Sequence, residues 1–334
     1  MATTSLTLDE IYDLVYGALR NAGSNDENAC AVSRTVTHAE RDGSHSHGLF
    51  RVAGYVNSLK SGKVDGNADP EIKKVSPSVI RVDAKNGHAP LALERATSAL
   101  AELATAQGIA ACAIVRSHHF AALWPETEAL AEKGLVALTG VNYKNWVAPA
   151  GGSEPIFGTN PLSFAWPRPS KTPLVFDMAT AAMAMGDIQI AARDGKQVPL
   201  GTGLNGEGEP TTDPSQIANG GILLPFGGYK GSAIALMVEL MASSMVGEAF
   251  SYETALSDND DGGPAAGGQF LLAISPAILS GNPHWATHSE ELLAKLENME
   301  GVRLPGARRH QNRLDTGPRD VNSELVETVR NLAS

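Results

Sequence analysis

Three consecutive helical patterns open the chain before any strand pattern appears, and this order most limits the folds open to it. Thr7 and Glu10 form a capping-box signature, after which apolar residues recur at helical spacing. Ser24 and Glu27 repeat the signature at the start of a second predicted helix. A third apolar pattern follows over residues 49–59. The sequence therefore predicts an N-terminal helical unit.

Strands and helices then alternate, which is typical of an α/β fold. The strand patterns are "SVIRVDA", "IAACAIVRS", "LVALTGV", "LSFAWP", "LVFDMA" and "GQFLLAIS". Two closing helices, near residues 288–300 and 322–333, are expected to pack back on the N-terminal helices. We therefore predict an α/β domain over residues 71–284 and a discontinuous helical domain formed by 1–70 together with 285–334.

Charge and composition exclude several classes of partner. The net charge of −11 argues against nucleic-acid binding, which needs clustered basic residues. Two cysteines, Cys30 and Cys112, offer no disulfide framework and suit a reducing compartment. The N-terminus lacks the basic and apolar regions of a signal peptide. The most apolar window, "SAIALMVELMASSMV", is short and contains Glu239, so no membrane span is expected. These features predict a cytoplasmic protein.

One glycine motif is misleading. Residues 201–206, "GTGLNG", match the G-x-G-x-x-G fingerprint of dinucleotide-binding folds. That fingerprint works only between a strand and a helix N-terminus, which aims backbone N–H groups at a pyrophosphate. Here Pro199, Pro210 and Pro214 surround the motif and no apolar helical face follows. We predict a loop at this position instead of a Rossmann phosphate site.

A second glycine-rich stretch, "LPFGGYKGSA", is a better candidate for a phosphate site. Gly227 and Gly228 free the backbone, Lys230 adds a positive charge, and Ser232 lies at the start of a long predicted helix. The order differs from that of a Walker A loop. An ordinary helix start with an exposed lysine explains the same residues, and the sequence leaves both interpretations open.

The turn "RLPGARR" concentrates positive charge in an acidic chain. It contains Arg303, Arg308 and Arg309. A solvated basic turn is the simplest interpretation. If the protein binds a phosphorylated cofactor, however, these arginines could clamp a 2′-phosphate.

The stretch "RDGSHSHGLFR", residues 41–51, is the densest cluster of reactive side chains. His45 and His47 share a face only if it is extended, whereas His47 and Arg51 share one if a helix begins here. With His118 and His119, these histidines could in principle bind zinc. Adjacent His118 and His119 suit one ion poorly, and no aspartate completes a ligand pattern, so no metal site is expected. A zinc-dependent hydrolase remains a distant alternative.

Five segments resemble, in the same order, the malate/L-lactate dehydrogenase family, whose cofactor-binding fold is not of the Rossmann type. They are "RDGSHSHGLFRVAGYVNSLKSGKV", "SHHFAALWPETEALAEKG", "APAGGSEPIFGTNPLSFA", "VFDMATAAMAMGDIQIAARDGK" and "LPFGGYKGSAIALMVELMA". The resemblance covers roughly residues 10–310. "GSHSHG", "SHHFAALWP" and "GDIQIAAR" are most similar to the Δ1-piperideine-2-carboxylate/Δ1-pyrroline-2-carboxylate reductase branch.

The resemblance implies a mixed-sheet, non-Rossmann NAD(P)-binding domain beside the discontinuous helical domain. It also implies a homodimeric enzyme that reduces cyclic imino acids with NADPH, or more weakly with NADH. Its products would be L-pipecolate and L-proline, which places it in lysine degradation or proline metabolism. A 2-oxo acid/2-hydroxy acid dehydrogenase of the malate/lactate type is the alternative. Asp187 weakens it, because many hydroxy-acid members carry a lysine or another residue there.

Carried over residue by residue, the resemblance assigns a role to each part of the site. Ser46, His47 and Asp187 would form a proton relay, in which His47 donates the proton and Asp187 holds its ring. Arg51 would bind the substrate carboxylate, and Thr159, Met185 and Gly186 would line the substrate. The implied cofactor-binding residues are His119, Phe120, Ala121, Ala122, Leu123, Asp177, Met178, Ala179, Gly228, Tyr229, Lys230, Leu304, Pro305, Gly306, Ala307, Arg308, Arg309 and His310.

Overall fold

The computed structural model describes residues 2–334. Its α-helices are α1 (Leu8–Asn21), α2 (Asp26–Arg41), α3 (Val52–Lys60), α4 (Ala89–Gln107), α5 (Trp124–Glu132), α6 (Met185–Arg193), α7 (Pro214–Ala218), α8 (Tyr229–Glu239), α9 (Ser251–Ser257), α10 (Pro276–Ser280), α11 (Trp285–Glu297), α12 (Ala307–Leu314) and α13 (Ser323–Ala333). Two 3₁₀ turns, His45–His47 and Leu49–Arg51, separate α2 from α3, and a π-helical turn, Leu240–Ser244, extends α8.

The strands are distributed over three sheets. They are β1 (Thr3–Leu6), β2 (Glu71–Ser76), β3 (Val79–Asp83), β4 (Ile109–His118), β5 (Val136–Val141), β6 (Leu162–Trp166), β7 (Leu174–Met178), β8 (Gly203–Leu204), β9 (Pro210–Thr211), β10 (Ile222–Leu223), β11 (Ala266–Ile274) and β12 (Arg319–Asn322). The main sheet has the order β2-β3-β4-β11-β5-β6-β7, and only its β3–β4 pair is parallel. The predicted mixed-sheet, non-Rossmann α/β fold is therefore confirmed, since a Rossmann sheet is mostly parallel.

Helix α4 makes the crossover that joins the two parallel strands. Pro90 lies in its first turn, where the missing N–H costs nothing, and Gly108 ends it with a φ of 85°. Its buried alanine and leucine face packs in one core with β3, β4 and α5. This helix therefore covers one face of the sheet near the strand ends that carry the site.

The helical start of the chain forms as expected, with one correction. The Thr7–Glu10 capping box is present at the start of α1. The second helix is capped by Asn25, whose side-chain oxygen accepts the N–H of Asn28, so the prediction that Ser24 caps it was wrong. The Ser24 hydroxyl lies 3.4 Å from the carbonyl oxygen of Gly66. Asn25 takes the capping position because α2 begins at the next residue.

The C-terminal segment returns to the N-terminal helices. Strand β12 pairs antiparallel with β1, and α13 packs against α1 and α3. Val326 and Val329 lie fully buried in the same core as Ile11 and Val15. The two ends of the chain therefore share one hydrophobic core.

Helix α11 lies elsewhere, against the far end of the main sheet. The Trp285 ring contacts Trp166 edge-on, and the buried Arg168 guanidinium pairs with Glu290 and Glu297. Only one of the two closing helices thus packs on α1–α3. The division into 1–70 with 285–334 and 71–284 stays a prediction.

The "GTGLNG" motif does not form the loop that the sequence predicts. Gly203–Leu204 is strand β8, which pairs with β9 and β10 in a small three-stranded sheet. A Cβ at Gly203 would lie 2.7 Å from the Ile222 carbonyl oxygen, so close strand pairing explains this glycine. Within residues 2–334, every helix is too short or too polar to traverse a lipid bilayer.

Candidate active site

The two 3₁₀ turns of residues 45–51 are held by a buried carboxylate. Glu40, on the last turns of α2, accepts the N–H of Leu49 at 2.8 Å and contacts Nδ1 of His45 at 2.8 Å. This hydrogen bond raises the pKa of His45. A Cβ at Gly48 would lie 2.0 Å from the Glu40 carboxylate, so only glycine fits there. Glu40, which sequence reasoning missed, thereby fixes the backbone on both sides of His47.

His47 is neutral in this environment. Its side chain is half-buried, and its Nδ1 lies 3.1 Å from the hydroxyl of Ser46. Burial, followed by the positive charge of Arg51 and a smaller effect of the neighbouring His119 ring, lowers the pKa of His47 to about 3. At neutral pH the ring is therefore uncharged in the free protein, and an anion beside Arg51 would oppose one of the causes that lower its pKa.

Arg51 presents an unpaired positive charge beside His47. Its Cζ lies 4.2 Å from the centre of the Phe120 ring and 5.5 Å from that of Phe50. Its Nε has no hydrogen-bond partner, and in the described part of the chain no carboxylate forms an ion pair with it. Burial lowers the pKa of Arg51, although it remains a cation at neutral pH. The arrangement is suited to binding an anion.

These side chains meet in a cavity of about 70 Å³. It is lined by His47, Arg51, His119, Phe120, Ala121, Val141, Asn142, Tyr143, Trp146, Thr159, Pro161, Ala184, Met185 and Gly186. The structure thus brings together the predicted substrate residues Arg51, Thr159, Met185 and Gly186. Its volume suits a small ligand.

An aromatic wall, missed from the sequence, borders this cavity. The Tyr143 ring stacks on Phe120 with 6.3 Å between centroids and contacts Trp146 edge-on at 5.2 Å. Tyr143 and Trp146 lie between β5 and β6, in the segment "VNYKNWVAP". The sequence signal that could have indicated this wall is the presence of two aromatic residues in a connection without helical periodicity.

Asp187 does not hold the His47 ring as the relay prediction required. It is exposed in the first turn of α6, and no hydrogen bond joins it to His47 in residues 2–334. Its neighbour Gly186 does reach the site: a Cβ there would lie 3.2 Å from the Ser46 Cβ and 2.5 Å from Arg51 Nη2. The first turn of α6 therefore contacts Ser46, and Ser46 is the group that contacts the His47 ring.

Three of the four predicted cofactor segments lie side by side. Asp177, at the end of β7, accepts the N–H groups of Leu123 and Trp124 at 2.7 and 3.1 Å. Burial raises its pKa to about 6, although these bonds and Arg309 oppose the increase. Arg309 donates to the Val175 carbonyl at 2.9 Å and lies over the Trp124 ring. Asp177 thus anchors the start of α5, which is a structural role independent of any cofactor.

The fourth segment, Gly228–Lys230, is joined to the others through the backbone. The Phe226 N–H donates to the Thr180 carbonyl at 3.0 Å, next to β7. Gly228 has a φ of 62° and precedes α8, while the Tyr229 side chain is 74% exposed. Lys230 is exposed, and among the described residues it has no ion-pair or hydrogen-bond partner. It is free to meet a ligand.

The histidines considered for a metal have other partners. His118 contacts the Asn86 side chain through Nε2 and the Pro264 carbonyl through Nδ1, and His45 contacts Glu40. Residues 2–334 contain no group of three or more histidine, cysteine, aspartate or glutamate side chains placed to bind one ion.

Comparison with known proteins agrees with the fold and the site. Residues 6–328 match the family model described as malate/L-lactate dehydrogenase. The chain is 46% identical, over 93% of its length and 90% of the relative, to a Δ1-pyrroline-2-carboxylate/Δ1-piperideine-2-carboxylate reductase from Pseudomonas syringae pv. tomato. The crystal structure of Δ1-piperideine-2-carboxylate reductase from that organism superposes with a TM-score of 0.93 at 44% identity, covering 99% and 100% of the two chains.

A more distant structure, sulfolactate dehydrogenase from Methanocaldococcus jannaschii, superposes with a TM-score of 0.88 at 27% identity. The superposition covers 98% of this chain and 96% of the sulfolactate dehydrogenase chain. The same architecture therefore extends to a protein named for a hydroxy acid. Because the family model spans nearly the whole chain, the protein belongs to the malate/L-lactate dehydrogenase family.

Proposed function

We propose that the protein reduces the C=N bond of Δ1-pyrroline-2-carboxylate and Δ1-piperideine-2-carboxylate with NADPH, forming L-proline and L-pipecolate. The observation that carries this proposal is the Arg51 guanidinium, which lines a pocket of about 70 Å³ with His47 and, among residues 2–334, has no carboxylate at ion-pair distance. An unpaired, half-buried arginine favours an anionic ligand, and both imines carry one carboxylate. The name of the P. syringae relative specifies the same two imines.

His47 is the proposed proton donor to the ring nitrogen. In the free protein its pKa is held near 3 by burial and by Arg51 and His119. A substrate carboxylate on Arg51 would cancel part of that positive charge and raise the pKa of His47, so that substrate binding favours protonation. Ser46, 3.1 Å from Nδ1, would pass the proton to the ring. Asp187, exposed next to Gly186, would supply it from the solvent side.

The remaining pocket residues would fix the plane of the substrate ring. Met185 and Gly186 form one wall at the start of α6, and Thr159 lies on another, where its carbonyl is held by the N–H and hydroxyl of Thr180. Tyr143 and Trp146 offer apolar surface to ring methylenes. A compact ring suits these walls better than a long open chain.

The cofactor segments fit a nicotinamide dinucleotide. Arg309 Nε is buried and has no hydrogen-bond partner in the described part of the chain, and Gly227 and Gly228 leave open space above the start of α8. When bound, the cofactor supplies a hydride. The residues that would hold it are His119, Phe120, Ala121, Ala122, Leu123, Asp177, Met178, Ala179, Gly228, Tyr229, Lys230, Leu304, Pro305, Gly306, Ala307, Arg308, Arg309 and His310.

The preference for NADPH is assigned to exposed cations. Arg303 and Arg308 are exposed, and in the described chain neither has an ion-pair or hydrogen-bond partner. Arg309, by contrast, is already engaged with the Val175 carbonyl and the Trp124 ring. The first two, with Lys230, are therefore the groups available for a 2′-phosphate.

A homodimer is proposed from the surface of α8 and its π-helical extension. Leu236, Met237, Leu240 and Met245 are 46%, 39%, 48% and 58% exposed. So much apolar surface in one place is characteristic of a protein interface. Light scattering in solution would give twice the mass of one chain if this is correct.

The test of the reaction is transfer of a label. The enzyme is incubated with Δ1-pyrroline-2-carboxylate and NADPH that carries deuterium on the transferred position of the nicotinamide. We expect L-proline with one deuterium at C2, detected by mass spectrometry. Unlabelled proline would contradict direct hydride transfer from the cofactor. Consumption of open-chain 2-oxo acids alone would replace the proposal by the hydroxy-acid dehydrogenase alternative.

A further inference from the structure

A second and larger cavity lies behind the wall of the substrate pocket. It has a volume of about 420 Å³ and lies among α2, α4, α5 and α12. Arg34 and Glu94, whose side chains are 44% and 43% exposed, lie on its lining, so it opens to the surface. Ala121 lines both cavities. The two spaces are therefore separated by a thin layer of side chains.

His119 and Glu126 form part of that layer. His119 lines the substrate pocket, whereas Glu126 lines the outer cavity. His119 Nε2 lies 3.7 Å from Glu126 Oε1, and the two residues are only 6% and 5% exposed. A proton acceptor on one side of the wall thus faces a proton acceptor on the other.

The atoms of this pair are left with unused hydrogen-bonding capacity. His119 Nε2 and Glu126 Oε2 have no hydrogen-bond partner in residues 2–334. Glu126 Oε1 accepts only a long bond of 3.5 Å from Gln269 Nε2, which also donates to Thr139 at 3.0 Å. Gln269 therefore orients the carboxylate without neutralising it.

No cation besides histidine compensates Glu126. In the described chain, no lysine or arginine forms an ion pair with it. The charge of Glu126 also acts on Asp177 and Tyr55 and raises the pKa of each, in both cases as a smaller cause than burial. A buried carboxylate with so little compensation is costly. Glu126 lies between two cavities, and a function at this position would explain why the protein retains a carboxylate that is costly to bury.

We propose that Glu126 is a proton-entry residue, which carries protons from water in the outer cavity to His119 and so into the substrate pocket. A water-borne proton binds a Glu126 oxygen, and the carboxyl O–H then gives its proton to His119 Nε2. His119 releases the proton on Nδ1 into the pocket, to His47, which is the proposed donor to the ring nitrogen. No electrons move, and the pair returns to its starting state after tautomer exchange.

This route rests on the proposed function, because reduction of an imine consumes a proton. Glu126 acts through His119 and does not line the substrate pocket, so it is a positioning and relay residue. The 3.7 Å separation exceeds hydrogen-bond distance. Such contacts are often long before substrate binds and tighten in the complex. A small movement of either side chain, or one bridging water, completes the route.

Glu126→Gln separates proton transfer from shape, since the amide keeps the size and an oxygen but cannot take up and release a proton as a carboxylate does. We expect kcat to fall by about tenfold or more, with a larger solvent deuterium isotope effect. KM for the imine and Kd for NADPH, measured by fluorescence titration, should change less than about twofold. Glu126→Asp should recover part of kcat. The matched control is Glu132→Gln, because Glu132 lines the same cavity but is exposed.

An unchanged kcat and isotope effect in Glu126→Gln would overturn the route. So would a loss of NADPH affinity as large as the loss of kcat, since that would make Glu126 a structural support of the cofactor segment. If Glu126→Gln does not fold, the isotope effect of Glu126→Asp decides: an increase supports the route and no change overturns it.

Turnover of the cyclic imines by the wild-type protein tests the proposed function, whereas the Glu126 variants test the proton route. If the wild type reduces no cyclic imine, the proposed function fails. Reduction of a 2-oxo acid consumes a proton as well, so the same variants then test the route on that substrate.

Discussion

The Cζ of Arg51 lies 4.2 Å from the centre of the Phe120 ring. The residue proposed to bind the substrate carboxylate therefore rests on the segment proposed to bind the cofactor. If both proposed roles are correct, this cation–π contact would couple the two binding events. It also fixes the guanidinium next to His47, in the pocket that both residues line.

Arg51→Lys should impair substrate binding although it preserves the charge. Lysine cannot form the bidentate pair that a carboxylate makes with a guanidinium, nor stack as well on Phe120. A charge-assisted hydrogen bond contributes roughly 1.5–3 kcal/mol, so we expect KM for the imine to rise about 10- to 100-fold. Initial-rate kinetics would measure this. A KM within twofold of wild type would remove Arg51 from carboxylate binding.

His47→Ala should lose most turnover while the protein stays folded. General acid catalysis contributes roughly 10²- to 10⁴-fold, so kcat should fall by that factor. Ser46→Ala should cost less, since it removes only the hydroxyl 3.1 Å from Nδ1. Stopped-flow single turnovers would separate the chemical step from product release. Retention of wild-type kcat in His47→Ala would exclude it as the proton donor.

Glu40→Ala should loosen the turn that carries Ser46 and His47. It leaves the buried N–H of Leu49 without its 2.8 Å partner, which costs about 1–3 kcal/mol. We expect a lower unfolding free energy in urea and a lower kcat. Glu40→Gln, which keeps an acceptor oxygen, is the matched control and should retain most of both.

Gly48→Ala tests the same contact from the other side. The added methyl group would lie 2.0 Å from the Glu40 carboxylate, so one of the two must move. We expect kcat to fall in parallel with Glu40→Ala. Wild-type activity in both variants would show that the proposed support of the turn is not needed.

The buried His88 should make stability depend on pH. Burial, with smaller effects of His118 and Lys63, lowers its pKa to about 3, whereas the unfolded chain has a value near 6.5. Between these values the unfolded state binds more protons, so stability falls as the pH drops below 6.5. The loss between pH 7 and 5 should be about 2 kcal/mol smaller in His88→Gln.

Urea unfolding at the two pH values measures this difference. A residual slope is expected in His88→Gln, because burial also lowers the pKa of His38 to about 4 and that of His47 to about 3. Equal losses in wild type and variant would mean that folding does not lower the pKa of His88.

The choice between NADPH and NADH should depend on Arg308 and Lys230. Both are exposed and without partners in the described chain. We expect each alanine variant to weaken NADPH binding more than NADH binding, as measured by fluorescence titration. Equal weakening of both cofactors would assign the residue to the pyrophosphate instead.

Local patterns predicted most of the elements. The alternating strand β3, the strands β4, β5, β6 and β7 and the helix α4 lie where the sequence predicted them. Strand β2, in contrast, reads "EIKKVS" and is almost entirely exposed, so it has no apolar alternation to detect. Likewise β8 holds only two residues and exists because distant β9 and β10 pair with it.

The sequence predicted site residues that lie close together in one motif. It did not predict contacts between residues that are distant in the sequence. His47 and Arg51 lie one helical turn apart in the chain and line one pocket. The contact of Asp177 with the start of α5 spans more than 50 residues, and no periodicity reports it. Asp187 was assigned to the His47 ring by resemblance, yet the backbone of α6 directs it to solvent.

The most direct test of the account is NADPH oxidation, followed by its near-ultraviolet absorbance, with each of the two cyclic imines. Pyruvate and oxaloacetate serve as open-chain comparisons, and NADH and a chelator are run alongside. We expect rapid, chelator-insensitive oxidation of NADPH with a cyclic imine, and a kcat/KM far above that for either oxo acid. Turnover of the oxo acids alone would contradict the central claim and make the protein a hydroxy-acid dehydrogenase of the same family.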